Sequence, residues 1–312
     1  MTAHSPRRRN TALAALVGAG AALALTVPVS AVAAPGGGSP APAAEKAAAP
    51  VVSTASYTVK QRRDALAYWT PARIKAVGES TDLGPTPPNV KPWKGTEMKT
   101  VGRLFFMNGD GEDSWCTATA VTSANRSVVM AAGHCVRRGS APDFTYTEMV
   151  FVPGYHQGKQ PYGAFPVRAT HTPRTWAEES DNDVAALVVD ADQQGRKLTD
   201  VVGGQAVAFD RPVGGTIRAF GYPASRPSLG EDLLHCTGKA KKAPQAGEQV
   251  IPCGMTGGSS GGPWLADFDT TTGKGVLVSV NSHGEGLQDT EKMFGAVLGG
   301  TAKKVYDQAQ RG

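Results

Sequence analysis

Nine short apolar segments, bounded by Gly, Pro, Asn or Asp, follow one another between about Glu97 and the C-terminus. Short segments separated by such turn residues are typical of strands in antiparallel sandwiches and barrels. The predicted strands are Val101–Met107, Cys116–Thr122, Ser127–Ala132, Glu148–Pro153, Asp183–Val189, Ala206–Phe209, Thr216–Gly221, Gly262–Ala266 and Val276–Asn281. The sequence therefore predicts an all-β domain over residues 97–312, large enough for two small barrels and ending in a helix over Thr301–Gln310.

The chain begins with a basic and apolar segment that has the form of a signal peptide. Arg7–Arg9 precede an apolar run over Ala12–Val29, and Ala31–Ala33 supply the small residues of a cleavage site. A run of this length is also close to what spans a membrane. Pro28 and the Ala-Val-Ala ending favour a signal peptide over residues 1–33. We therefore expect a secreted protein with no membrane contact after cleavage.

Residues 34–96 connect the signal peptide to the predicted β domain. Residues 34–56 are rich in Ala, Pro and Gly, which is typical of a linker. A short helix is predicted over Gln61–Tyr68, and Thr70-Pro71 has the pattern of a helix start. We interpret residues 34–96 as linker and propeptide, with an ordinary N-terminal extension as the alternative.

The positive charge of the chain lies outside the predicted β domain. The whole chain has a net charge of +5, but residues 1–33 hold three arginines and no acids. Residues 34–96 hold eight basic and four acidic residues, which leaves 21 basic and 23 acidic residues in 97–312. Because the β domain is slightly acidic, we expect no nucleic-acid partner.

Four cysteines in an exported chain predict two disulfides. Three pairings are possible, and we favour the two that close local loops, Cys116–Cys135 and Cys236–Cys253. Each would stabilise the fold by about 3 kcal/mol. The alternative, a Cys/His metal site, lacks the ligand spacing of known zinc motifs, so no metal is expected.

The segment Thr256–Trp264 places Ser260 between glycines. Such a turn exposes a hydroxyl and leaves backbone N–H groups free to bind an oxyanion, although Gly/Ser runs are more often linkers. Upstream, His134 ends the apolar segment that starts at Val128, and Asp183 directly precedes another apolar run. A histidine at a strand end can act as a general base, and a partly buried carboxylate beside it would fix its tautomer.

These three motifs together resemble those of the chymotrypsin-like serine peptidases. Ala-Ala-Gly-His-Cys around His134, Asn-Asp-Val-Ala-Ala-Leu around Asp183 and Gly-Ser-Ser-Gly-Gly-Pro around Ser260 are similar to the family's motifs, in the family's order. The resemblance covers residues 97–312 and is greatest to the secreted bacterial branch that includes glutamyl endopeptidases. It implies two antiparallel six-stranded β-barrels with the active site between them.

The resemblance also implies a role for each matching residue. Ser260 is then the nucleophile, His134 the general base and Asp183 the residue that orients it. The N–H groups of Gly258 and Ser260 form the oxyanion hole. Substrate-binding residues are expected in the strand that follows, at Asn281, Ser282, His283 and Gly284. The chemistry needs no cofactor, the substrates are proteins or peptides, and we expect a monomer.

Two positions depart from the family pattern. Ser259 stands where members activated by a new N-terminus have an aspartate, so maturation through that ion pair is not expected. Gly254 stands where trypsin-type enzymes have an acid, which disfavours Lys or Arg before the cleaved bond. A glutamate preference stays open, because either Asn281 or His283 could stand for the histidine that meets the substrate carboxylate.

The sequence thus predicts a secreted serine endopeptidase that acts through an acyl-enzyme. Two other functions are compatible with the same motifs. One is a non-catalytic binding protein on a peptidase fold, and the other is an esterase with the same three residues.

Overall fold

The computed structural model describes residues 51–139, 145–177, 182–284 and 291–312. The predicted signal peptide and residues 34–50 of the predicted linker lie outside the described residues. Within the described ranges, no helix has both the length and the apolar character needed to cross a bilayer.

Strands dominate the described residues, and helices are few. The strands are β1 (Val52–Ser56), β2 (Lys91–Pro92), β3 (Val101–Met107), β4 (Asp113–Ala120), β5 (Val128–Ala131), β6 (Thr147–Pro153), β7 (Phe165–Pro173), β8 (Ala185–Val189), β9 (Ala206–Val207), β10 (Thr216–Gly221), β11 (Leu234–Lys239), β12 (Lys241–Lys242), β13 (Glu248–Pro252), β14 (Pro263–Asp269), β15 (Lys274–Gly284) and β16 (Lys292–Ala296). The helices are α1 (Val59–Tyr68), α2 (Pro71–Glu79), α3 (Leu198–Val202) and α4 (Gly300–Ala309).

The first sheet closes into a six-stranded barrel. Its strands follow the order β7-β6-β3-β4-β5-β8, and a further antiparallel pairing joins β7 to β8. Every residue of β5 and β8 is buried, which explains their continuous apolar sequences. One face of β8 lines the barrel and the C-terminal helix α4 packs against β7 and β8, with Val305 fully buried.

The second sheet contains six longer antiparallel strands in the order β13-β16-β15-β14-β10-β11. The short strands β12, β2 and β9 add to its edges or pair with β15. The disulfide Cys236–Cys253 joins β11 to the residue after β13, so it connects the two ends of this six-strand order. The predicted fold class is confirmed as mostly β, with a closed six-stranded barrel, a second β sheet and a C-terminal helix.

Residues upstream of the predicted domain boundary pack into the same core. Val52–Ser56, which the sequence predicts as linker, form β1 along the outer edge of β7. Trp69 packs its ring against Phe105 at 5.1 Å between centroids and donates to the carbonyl of Glu148. Ile74 of α2 is fully buried. The sequence of β1 does not by itself indicate a strand, because the strand with which it pairs is distant in the chain. Thr54 of β1 and its partner His171 of β7 are 117 residues apart.

Two predicted strands, Val101–Met107 and Thr216–Gly221, are confirmed with the predicted bounds. The other seven predicted strands are found with ends that differ by a few residues. The predicted helices are confirmed, including the start of α2 at the cap Thr70 with Pro71 in its first turn. The strands that the sequence did not indicate are β1, β2, β7, β11, β12, β13 and β16.

Replacing Ile74 by alanine should lower the free energy of unfolding by about 2–5 kcal/mol, because the truncation leaves a cavity in a fully buried position. Val59 on the neighbouring helix is 70% exposed, so Val59→Ala should change this free energy by less than about 0.5 kcal/mol. Chemical denaturation followed by tryptophan fluorescence measures both variants. Equally small changes would show that α2 lies outside the cooperative core.

Candidate active site

His134 lies in a 3₁₀ turn, Gly133–Cys135, directly after β5. The disulfide Cys116–Cys135 fastens this turn to β4, with 6.0 Å between the Cα atoms. The side chain of His134 keeps 37% of its surface exposed. The two sulfurs beside the ring are bonded to each other, so they offer no thiolate to a metal ion. The histidine is therefore held by rigid elements while one side of its ring remains accessible.

Asp183 is buried next to His134 and accepts three hydrogen bonds. Its Oδ1 accepts from the backbone N–H of His134 at 2.9 Å, and its Oδ2 lies 2.7 Å from His134 Nδ1. The hydroxyl of Ser282 donates to the same Oδ2 at 2.6 Å. The carboxylate thus fixes Nδ1 as the protonated ring nitrogen, which leaves Nε2 as the basic one.

The charges of this pair shift both pKa values. Burial by itself lowers the pKa of His134, but the Asp183 carboxylate outweighs burial and holds that pKa above its ordinary value of 6.5. Burial raises the pKa of Asp183, but attraction to His134 and hydrogen bonds from His134 and Ser282 outweigh it. That pKa consequently lies below its ordinary value of 3.8. The site therefore combines an ionised carboxylate with an imidazole that is a better base than free histidine.

Ser260 lies in a turn between the two sheets, where glycine is needed for two reasons. Gly258 and Gly261 have φ angles of +86° and +78°, in the region that other residues adopt only with strain. A Cβ on Gly261 would also lie 2.4 Å from the carbonyl oxygen of Thr117 and 2.9 Å from the nitrogen of Ala132. Because Ala132 is two residues before His134, this close approach brings the Ser260 turn against the end of β5.

The backbone N–H groups of Gly258 and Ser260 are available to a ligand. Within the described residues, neither N–H donates to an acceptor of the protein. The hydroxyl of Ser260 likewise makes no hydrogen bond to His134 in the described ranges. Such contacts are often long in an unliganded site and tighten with substrate. The arrangement offers a hydroxyl, a nearby base and two donors for a developing negative charge.

A cavity of about 390 Å³ opens beside Ser260. Met255 and Met293 form apolar walls, and Thr256 contributes a buried hydroxyl that has no hydrogen-bond partner among the described residues. Leu83, from the segment before the predicted domain boundary, forms a further wall. A second cavity, of about 500 Å³, lies between Trp93 and other aromatic residues and contains none of the residues predicted for the site.

Of the four residues predicted to bind substrate, three line this cavity and one does not. Ser282, His283 and Gly284 line the cavity, whereas Asn281 is fully buried behind the Ser260 turn. His283 stacks on Phe294 at 4.8 Å between ring centroids. Its two ring nitrogens lie 3.0 Å from the carboxylate of Glu248 and 3.0 Å from the carbonyl of Gly284.

Three residues that shape this site are not indicated by any motif of the sequence. Leu83 lies within residues 34–96, which the sequence predicts as linker and propeptide, and Glu248 lies in β13, outside the nine predicted strands. Thr117 is a buried threonine of β4 that bonds the Ser260 turn through its N–H and its hydroxyl, at 2.8 and 2.9 Å. Each acts through a contact with a residue distant in the chain, so no local pattern marks it.

Solved structures provide the relatives of this chain, since no protein-family model and no curated protein matches it. The protease Anisep from Arthrobacter nicotinovorans is 36% identical with a TM-score of 0.65, and the match covers 72% of this chain and 100% of that enzyme. The thermostable serine protease AL20 from an extremophilic microorganism is 35% identical with a TM-score of 0.63, over 69% of this chain and 98% of that one. A Glu endopeptidase with 16% identity and a TM-score of 0.57, over 72% and 98%, shares the fold.

Asp183→Asn should lower the pKa of His134, because it removes the carboxylate that opposes the effect of burial. An NMR titration of the ring protons measures this pKa, which should lie above 6.5 in the unmodified chain. The control is Asp232→Asn, which removes a carboxylate 3.2 Å from another histidine, His156, and should leave His134 unchanged. A His134 pKa unaffected by Asp183→Asn contradicts the pairing described here.

Proposed function

The chain belongs to the chymotrypsin-like serine peptidases, and we propose on this basis that it is a secreted endopeptidase acting through an acyl-enzyme on Ser260. The observation that carries the proposal is the arrangement around the cleft. A buried Asp183 pairs with His134 at 2.7 Å, and the Ser260 turn is packed against the same strand end. Two N–H groups of this turn have no acceptor in the part of the chain that the structure describes. This arrangement supplies each part that acyl transfer requires.

Each residue then has one chemical task. His134 Nε2 takes the proton of Ser260 as the hydroxyl attacks the substrate carbonyl, and it later gives that proton to the leaving amine. Asp183 stabilises the imidazolium that forms in between. The N–H groups of Gly258 and Ser260 bind the oxyanion of the tetrahedral intermediate. Water then hydrolyses the acyl-enzyme by the same steps.

The cavity beside Ser260 receives the side chain that precedes the cleaved bond. Its described walls include two methionines and no carboxylate, which supports an apolar side chain over Lys or Arg. Both nitrogens of His283 already face acceptors of the protein, so this residue is poorly placed to bind a substrate carboxylate. We therefore propose an apolar preference and do not assign a glutamate preference.

We further propose that residues 1–33 are a signal peptide and that residues 34–96 are the linker and propeptide of the peptidase domain 97–312. The two disulfides and the secreted bacterial-type motifs support export. Ser259 is buried, and its hydroxyl donates to the carbonyl of Thr256 at 2.6 Å, so it forms a neutral contact within the turn. This contact supports a maturation that does not use an ion pair with a new N-terminus.

Ser260→Ala should abolish peptide hydrolysis and covalent labelling by a peptidyl phosphonate. Turnover should fall by a factor on the order of 10⁴–10⁶, which is the effect of removing one residue of a catalytic triad. The neighbouring Ser259→Ala removes a hydroxyl from the same turn and should still be labelled.

Full activity in Ser260→Ala would contradict Ser260 as the nucleophile. A chain that binds peptides but never reacts would favour the non-catalytic alternative. Comparing an ester with its matching amide separates a peptidase from an esterase.

The value of kcat/KM should fall in acid with a midpoint above pH 6.5. The base must be neutral to accept the proton of Ser260, and the pKa of His134 is raised above 6.5, so activity is full above that pKa and is lost below it. Asp183 stays ionised throughout this range because its pKa lies below 3.8. Rates with an uncharged peptide between pH 5 and 9 test this, and a flat profile contradicts His134 as the base.

A further inference from the structure

The Ser260 turn is fastened to β15 by one buried residue, Asn281. Its side chain is fully buried. Its backbone N–H donates to the carbonyl of Gly262 at 2.8 Å, and its backbone carbonyl accepts from the N–H of Gly261 at 2.8 Å. The residue is therefore bonded to both glycines that follow the nucleophile.

The carboxamide of Asn281 makes three more hydrogen bonds. Its Nδ2 donates to the carbonyl of Ser259 at 2.8 Å and to that of Phe220 at 3.0 Å. Its Oδ1 accepts from Trp264 Nε1 at 2.7 Å. Because the indole nitrogen can only donate, the oxygen of the carboxamide must face Trp264 and the NH₂ group must face the two carbonyls. The orientation of this amide is thus determined by its surroundings.

This orientation controls the peptide that supplies one oxyanion donor. In a trans peptide the C=O and the following N–H point in opposite directions. The carbonyl of Ser259 accepts from Asn281 and from the N–H of Gly262 at 3.0 Å, on the side away from the cleft. The N–H of Ser260 is consequently directed towards the cleft. The carbonyl of Gly257 accepts from Ala224 at 2.8 Å and has the same effect on the N–H of Gly258.

The glycine after the turn makes room for this amide. A Cβ on Gly262 would lie 2.7 Å from Asn281 Nδ2 and 2.0 Å from the carbonyl oxygen of Phe220. Any larger residue would displace the carboxamide or the strand behind it. Gly262 and Asn281 therefore depend on each other in packing. The carboxamide of Asn281 occupies the space that a side chain at position 262 would fill.

We propose that Asn281 is a positioning residue of the oxyanion hole, which holds the Ser259–Ser260 peptide so that the N–H of Ser260 faces the cleft. The proposal rests on the proposed peptidase function. It replaces the substrate contact that the resemblance implies for Asn281, since the buried carboxamide contacts only the protein. A residue with this role acts on the transition state, where the oxyanion forms, and leaves ground-state binding of the peptide nearly unchanged.

The first test compares Asn281→Leu with Ser279→Ala in the full chain. Leucine has the same number and branching of side-chain heavy atoms but no donor, so kcat should fall roughly 10–100-fold while KM stays within about threefold, by comparison with the loss of an oxyanion donor. Ser279 is also buried on β15 and bonds the carbonyl of Ala296 at 2.7 Å, away from the turn. Its loss should leave kcat within about twofold. The substrates are succinyl-tripeptide anilides that differ in the residue directly before the cleaved bond. Thermal unfolding shows whether each variant is folded.

The second test uses an inhibitor that forms the oxyanion. A peptide aldehyde gains an alkoxide when a serine adds to it, whereas the corresponding peptide acid does not. In Asn281→Leu the inhibition constant of the aldehyde should rise by the same factor as kcat falls, and that of the acid should not change. Trp264→Phe removes the bond that orients the carboxamide together with part of a fully buried ring, and it should show a smaller loss of the same kind.

The outcomes separate this proposal from the proposed function. If the unmodified chain neither cleaves peptides nor reacts with the phosphonate, the peptidase assignment has failed. If it does both, but folded Asn281→Leu and Trp264→Phe keep kcat and aldehyde affinity, the positioning role is overturned. An equal loss in Ser279→Ala also overturns it, because a general loosening of β15 would then explain the effect. If Asn281→Leu does not fold, the kcat and the aldehyde affinity of Trp264→Phe decide whether Asn281 has the positioning role.

Discussion

The placement of Ser260 relative to His134 depends on the hydrogen bonds of one buried residue, Thr117. Its N–H donates to the carbonyl of Ser260 at 2.8 Å, and its hydroxyl donates to the carbonyl of Gly258 at 2.9 Å. The same hydroxyl accepts from the N–H of Tyr222 at 2.9 Å. Thr117 lies in the first sheet, and the turn that holds His134 follows β5 of that sheet. Ser260 lies in the turn before β14, and Tyr222 directly follows β10, so both are attached to the second sheet. A buried polar group left without its partner costs about 1–3 kcal/mol, so the two sheets cannot slide relative to each other without losing several such bonds. The distance between His134 and Ser260 is therefore set by the contact between the two sheets.

The features predicted from the sequence are those that a short segment carries by itself. β3 and β10 are apolar runs between turn residues, and the residues around His134, Asp183 and Ser260 have recognisable neighbours in the chain. What escaped prediction depends on distant partners. β13 begins with Glu248 and Gln249, which are polar residues but are buried in the folded protein. The Glu248 carboxylate lies 3.0 Å from His283, and the Gln249 amide donates to the carbonyl of Val278. The family resemblance implies a substrate contact for Asn281, but the direction of its side chain depends on Trp264 and Phe220. Periodicity cannot reveal such a choice.

Arg103 shows how tightly the two sheets are joined at a second place. Its guanidinium is fully buried, bonds Glu231 at 3.1 Å and lies over the rings of Phe105 and Trp115. Burial lowers the pKa of Arg103, and the neighbouring Glu231 opposes this effect. A buried charge is tolerated only with such a partner. Because Glu231 lies in the loop that also contains Tyr222, this ion pair and the bonds of Thr117 hold the same loop from both ends. The loop in turn supplies Ala224, whose N–H orients the peptide of Gly258.

The segment before residue 97 is held at separate places on the domain. β1 pairs with β7, Trp69 and Ile74 enter the core, and β2 pairs with β11. Between them, Leu83 donates its N–H to the carbonyl of Ala224 at 2.9 Å and contributes a wall of the cavity. A fragment attached at several points leaves only when all attachments open together, since each one keeps the others at high effective concentration. Cutting the chain between this segment and the domain would therefore create a two-chain complex before it created a free enzyme. In such a protein the cleavage of the backbone and the departure of the fragment are two events with separate rates.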